Sequence, residues 1–171
     1  YFYFAAVVKK PTLTGSQATP FSDPLKDDAI SVYLQTEDAV STTRSARSVQ
    51  MTASVAGGVQ LYRGASGTPL TGFGDFVKSL DGSPRTFKFG VTRRGEIGAP
   101  ASNQSGYSVE IGIPWVEIGG APQVGQKLKF NVVSHNASGS GPTFLSLSKQ
   151  VALESDINNP SKWNNIVFVD A

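Results

Sequence analysis

The 171-residue sequence contains no cysteine, one methionine and one histidine. The first absence removes a disulfide framework, a thiolate metal site and a cysteine nucleophile, and it leaves the cellular compartment open. Charge is scarce as well: charged residues make up 16%, with 15 Lys plus Arg against 13 Asp plus Glu, a formal +2. So weak a bias excludes the dense cationic surface that a nucleic-acid backbone requires. The longest apolar stretch, Phe2 to Val8, falls far short of the roughly 20 residues of a membrane-spanning helix. It also lacks the basic flank and small-residue cleavage site of a secretory leader. Opening on Tyr1 rather than Met, the sequence reads as a processed or trimmed end, or as the interior of a longer product.

Hydrophobic residues supply 39% of the chain, with 18 Gly and 10 Pro, a composition too apolar for disorder and too punctuated for a helical bundle. The length fits one domain, residues 1–171, able to bury a core without staples. Period-two alternation then recurs in nearly every apolar segment, as in strands with one buried face and one wet or packed face. Phe2 to Lys9 is a near-continuous run; Ile30, Val32 and Leu34 alternate with Ser31, Tyr33 and Gln35; Val49, Met51, Ala53 and Val55 alternate with Gln50, Thr52 and Ser54. Gly57-Gly58 turns the chain into Val59 to Arg63, a hairpin signal. Further strands are expected at Phe87 to Val91, Tyr107 to Ile113, Leu128 to Val132, Phe144 to Ser148 and Ile166 to Val169, about nine in all. The reading is all-β, an antiparallel β-sandwich.

Helical periodicity is sustained nowhere, leaving single turns at Pro114 to Ile118 and Pro160 to Trp163, each opening on a proline whose missing N–H costs nothing there. Three loops rich in Gly, Ser, Thr and Pro lie between strands: Pro11 to Pro24, Gly64 to Arg85, and Gly95 to Gly106. Loops of this kind are either binding surfaces or simply disordered. Phe21, Phe73, Phe76 and Tyr62 lie in or beside them and could assemble a ligand platform.

Three ordered segments resemble the family 9 carbohydrate-binding modules and their wider relatives, the DOMON-like β-sandwiches. Tyr1 to Pro11 followed by Pro24 to Leu34 resembles the family's "LYVAVxVxDP" strand and its "PWExDSVEIFL" successor. Gly106 to Trp115 is close to "GYxVEAAIPW". Gly125 to Asn136 is close to "GxxIGFNxxVND", and Asn159 to Ile166 to "DPSKWGxL". The resemblance implies a recognition or docking module of an exported, periplasmic or envelope-associated bacterial protein. It also implies a strand pair and a short helix before Tyr1; their absence here predicts that another chain, a separate segment of the same product, or a loop such as Gly64 to Arg85 covers the edge of the first strand.

In sugar-binding members two tryptophans clamp a sugar ring while flanking polar groups hold its hydroxyls. Aligned on the motifs, the clamp positions fall at Leu25 and Ile157, and the acidic, arginine and glutamine positions at Ser31, Thr52 and Val133. The resemblance therefore carries the fold further than the ligand, and free mono- and disaccharides are expected to bind weakly. The face bearing Gln50, Thr52, Ser54, Asn131, Val133 and His135 is where a relocated sugar site or a protein-docking surface would lie, with Gln50, Thr52, Asn131, His135 and Asn136 as candidate ligand-binding residues.

Two cofactor readings accompany these. Some DOMON-like domains bind haem b through Met and His, and Met51 with His135 is the one such pair; Met51 shares parity with core residues, which favours packing and no haem. Asp23, Asp27 and Asp28 cluster before a strand and could hold a structural Ca²⁺, or instead bond their own turn. Trp115 and Trp163 sit in turns expected to pack on the sandwich. No carboxylate pair, nucleophile elbow or phosphate loop is evident, and the chain reads as a non-enzyme.

Overall fold

The computed structural model describes residues 1–19, 22–36, 41–64, 68–69, 87–102, 105–137 and 143–169. Within them lie ten strands: β1 (Phe2–Lys9), β2 (Ala29–Gln35), β3 (Ser48–Ser54), β4 (Val59–Arg63), β5 (Thr68–Pro69), β6 (Lys88–Arg94), β7 (Gly106–Ile113), β8 (Lys127–Asn136), β9 (Thr143–Ser146) and β10 (Asn164–Val167). Single 3₁₀ turns form at Pro24–Lys26, Trp115–Ile118, Glu154–Asp156 and Pro160–Lys162, the first and third of which the sequence pattern does not announce. The smaller sheet runs β1-β7-β6 and the larger β10-β8-β2-β3-β4-β5, with β9 continuing beside β8. All named pairings are antiparallel.

The register explains the core. Val132, Val32, Met51 and Leu61 oppose one another across β8, β2, β3 and β4. In the neighbouring rows, Ile30 lies beside Ala53 and Leu34 beside Val49. Against this face pack Tyr107, Val109, Ile111 and Ile113 of β7, so one apolar cluster draws on both sheets. Each fully buried side chain of this size is worth about 1.5–3 kcal/mol. Phe2 and Phe4 point inward from β1 with ring centroids 5.4 and 6.3 Å from Phe130, whereas Val7 points outward and is 68% exposed. Trp115 packs on Phe2 and Phe168 at one end of the sandwich.

Alternation predicts polarity here but not exposure: every residue of β2 and β3 is buried. The polar face of the larger sheet is itself roofed by the chain after β9. Val151, Ile157 and Trp163 form a second apolar cluster with Tyr33 and Val133. Trp163 donates its indole N–H to the Ile157 carbonyl at 2.8 Å, and the Asp156 carboxylate accepts the Ala152 and Leu153 amides and pairs with Lys162. The roof is therefore fixed at several points, and it sets the position of Ile157.

Candidate functional site

Four strands, β2, β3, β4 and β8, deliver the site. On the roofed face, Tyr62, Gln50, Tyr33 and Asn131 occupy one cross-strand row, and Gln60, Thr52, Ser31 and Val133 the next. At the open end of this face a cleft of about 240 Å³ is lined by Leu25, Tyr33, Gln50, Tyr62, His135, Glu154, Ile157 and Asn158. Leu25 reaches it from a 3₁₀ turn opened by Pro24 and capped by the Asp23 carboxylate, which accepts the Leu25 amide. The two positions that the resemblance assigns to clamp tryptophans thus border the same cleft, and its ring surface comes from elsewhere. Tyr33 is already engaged, with Trp163 5.4 Å from its ring and the Arg44 guanidinium 5.0 Å over it. Tyr62, half-buried, is the other aromatic ring among the described residues that line the cleft.

Polar side chains beneath the cleft are joined in a line. The buried Arg44 donates Nη2 to Gln50 Oε1 at 2.6 Å, and Gln50 donates Nε2 to Thr52 Oγ1 at 3.1 Å. Thr52 Oγ1 lies 2.7 Å from Ser31 Oγ, which lies 2.9 Å from His135 Nε2. Burial holds the His135 imidazole down at about 4, so it is neutral near pH 7. Burial also pushes Tyr33 up to about 12 against the opposing charge of Arg44, and brings Arg44 down to about 10. The Ser31–His135 contact is not an activated nucleophile: Ser31 has no solvent exposure, and no carboxylate hydrogen-bonds the other imidazole nitrogen among the described residues.

Of the five candidate ligand residues, Gln50 and His135 line the cleft and Thr52 links them from below. Asn131 is displaced from the role expected of it: fully buried, its Oδ1 accepts Ser146 Oγ at 3.0 Å and the Ser148 amide at 3.1 Å. Asn136 is also displaced, because its odd-number offset from His135 puts it on the opposite face, where its Oδ1 accepts Lys10 Nζ at 2.6 Å. Tyr33, Arg44, Glu154 and Asn158 were not singled out from the sequence. Tyr33 carried a signal, the same strand parity as Ser31; Arg44 lies in a Ser/Thr-rich loop and carried none.

The three aspartates do not converge. Asp23 caps its turn, and among the described residues no three acidic or His side chains surround a common point. Asp27 accepts the Ser16 and Gln17 amides at 2.8 and 2.9 Å and the Ser54 hydroxyl. Asp28 accepts the Thr14 amide at 2.7 Å and the Ala137 amide at 3.0 Å and pairs with Lys10. Met51 and His135 point to opposite faces of one sheet, Met51 into the fully buried core, so they cannot ligate a common iron. Phe21, Phe73 and Phe76 lie outside the described residues. A larger groove, about 680 Å³, runs past Lys9, Arg94, Glu96 and Tyr107 at the end of the smaller sheet, but it contains none of the linked polar groups.

No family model matches the chain, and no curated protein matches it. Solved structures do. A protein from Bacteroides uniformis ATCC 8492 described as carbohydrate-binding superposes with a TM-score of 0.67 at 14% identity, over 97% of this chain and 72% of that one. A family 9 carbohydrate-binding module from Caldicellulosiruptor kristjanssonii, in complex with cellotriose, gives 0.61 at 13% identity, over 99% of this chain and 69% of that one. Its complex with glucose gives 0.62 at 15% identity, over 99% and 71%. The fold is that of a family 9 carbohydrate-binding module. In this fold the cleft bordered by Leu25 and Ile157 has Gln50 and His135 among its polar lining and Tyr33 and Tyr62 as its rings.

Proposed function

We propose that this chain is a non-catalytic recognition module of an exported or envelope-associated protein, and that it binds glycan segments in the cleft between Tyr62 and Ile157. The observation that carries this reading is the coincidence of place: Leu25 and Ile157, the positions that the resemblance assigns to the clamp, border one cleft with Gln50 and His135. One ring packs against a pyranose C–H face, and the floor supplies hydrogen bonds to hydroxyls. A single ring without its partner gives weak binding, near the millimolar end of about −4 kcal/mol. Among the described residues Glu154 is the one carboxylate lining the cleft.

Calorimetric and NMR titration with cellotriose, xylotriose, glucose, cellobiose and xylobiose tests the reading. Trisaccharides should bind in the millimolar range, monosaccharide and disaccharides more weakly still, and Tyr62→Ala should abolish the heat. Micromolar binding of glucose that disappears in Leu25→Ala would show that the aliphatic wall is a working clamp and that the reading misplaces the contact.

A second role is favoured by the smaller sheet. Among the described residues β1 ends that sheet, and its outward face shows Tyr3 at 64% and Val7 at 68% exposure. We propose that a strand of another polypeptide, or of a separate segment of the same product, docks along this edge.

A further inference from the structure

The line of polar groups under the cleft has a direction, and that direction fixes what the cleft offers a ligand. Arg44 can only donate, so Gln50 must turn its carbonyl oxygen toward the guanidinium and its NH₂ toward Thr52. Thr52 Oγ1 then accepts from Gln50, and its own proton has one described side-chain partner, Ser31 Oγ at 2.7 Å. Pointed elsewhere, that proton would be a buried donor without an acceptor, on a residue with no solvent exposure. Ser31, having accepted from Thr52, has one proton to place between His135 Nε2 at 2.9 Å and the Tyr33 hydroxyl. Placed on His135, it makes Nε2 an acceptor, and a neutral imidazole that accepts at Nε2 carries its hydrogen on Nδ1.

We propose that Arg44, Gln50, Thr52 and Ser31 act as positioning residues that hold His135 in the Nδ1–H tautomer, and that this N–H is the cleft's hydrogen-bond donor to an oxygen acceptor of an uncharged, hydroxyl-rich ligand. The ligand class rests on the glycan reading above; the tautomer does not. Among the described residues His135 makes no polar contact besides Ser31, so Nδ1 is the ring nitrogen left for the ligand. The floor discriminates as a result. A ligand presenting an acceptor there gains a bond, and one presenting only a donor leaves two donors opposed.

His135 is the sole histidine, so long-range ¹H–¹⁵N correlation on ¹⁵N-histidine-labelled full chain reports this ring alone. At pH 7 the free protein should show a protonated Nδ1 and a bare Nε2, and Thr52→Val should convert it toward the Nε2–H form that free imidazole side chains favour. An Nε2–H tautomer in the unmutated chain overturns the inference whatever the ligand is. Titration with cellotriose should then shift the Nδ1–H resonance together with those of Tyr62. Movement of Tyr62 with Nδ1–H unmoved overturns the donor role. If no glycan moves Tyr62, the ligand class is wrong and the donor role to it falls, an outcome told apart from a wrong tautomer because the nitrogen shifts are read without ligand. His135→Asn, which keeps a donor near the Nδ1 position, should weaken cellotriose by about threefold, and His135→Gln, which reaches only Ser31, by about tenfold. Equal losses in the two variants would reduce His135 to a packing role.

Discussion

At the scale of the residue, the most informative side chains are polar ones placed where the alternation pattern would allow solvent but the fold denies it. His135 is the case with a measurable consequence. Its imidazole is held at about 4 by burial, against about 6.5 in an unfolded chain. The unfolded state therefore takes up a proton first as pH falls. Stability from this group is fully present above about pH 6.5, drains away as pH falls toward 4, and changes no further below that, a loss on the order of 1–3 kcal/mol for a partly buried ring. Urea unfolding of the wild type and of His135→Gln between pH 7 and pH 4 should show this component in the first and not in the second. A wild-type curve parallel to that of the variant would mean that the ring titrates normally in the folded state. Asp27 and Asp28 make the complementary point. Acidic pairs before a strand suggest metal from sequence, yet each gathers backbone amides from the preceding loop, and which N–H groups return to a carboxylate depends on a loop path that no local pattern encodes.

At the scale of the element, strand existence and parity were legible because period two is a local property. Met51 in the core and Gln50 with Thr52 on the other face follow from counting. What covers a face is not local. The roof from Val151 to Trp163 turned an expected wet-or-packed face into a second core, sealed Asn131, and left Gln50 and His135, of the five candidate ligand residues, at the cleft. The β3–β4 hairpin shows how far a turn signal reaches. Gly57 has φ +99 with nothing within 4 Å of where a Cβ would stand, so Gly57→Ala should cost only the left-handed backbone, about 1–2 kcal/mol. Gly58 serves a tertiary contact: its amide donates to the Gln17 carbonyl at 2.8 Å, and an added Cβ would stand 2.2 Å from that oxygen. Gly58→Ala should therefore cost more, about 2–4 kcal/mol, by pushing off the loop that Asp27 anchors. Denaturant midpoints of the two variants decide it, and equal costs would mean that the loop yields freely.

At the scale of the whole molecule, the two sheets are unequal partners. β2, β3 and β8 lie inside the larger sheet, paired on both sides, with β2 and β3 buried on both faces, whereas among the described residues β1 and β6 each have one paired side in the smaller sheet. β6 carries Phe89 toward the interior side yet leaves it 41% exposed, and β1 leaves Tyr3 and Val7 out. Local opening costs least where few apolar contacts and half the backbone bonds hold a strand, so protection should fall from the larger sheet to the outer strands β1 and β6 of the smaller. Hydrogen exchange on the isolated chain should show amides of Phe2–Lys9 exchanging well before those of Ala29–Gln35 and Ser48–Ser54. The edge reading of β1 requires a further result: with the natural neighbour of this chain present, the outward amides of β1 should slow while those of β2 and β3 stay as they were, since a docked strand bonds only what it touches. Uniform protection of β1 and β2 in a monomer would mean that the chain already covers its own edge, and the docking role would fall while the cleft on the far side of the larger sheet stood untouched.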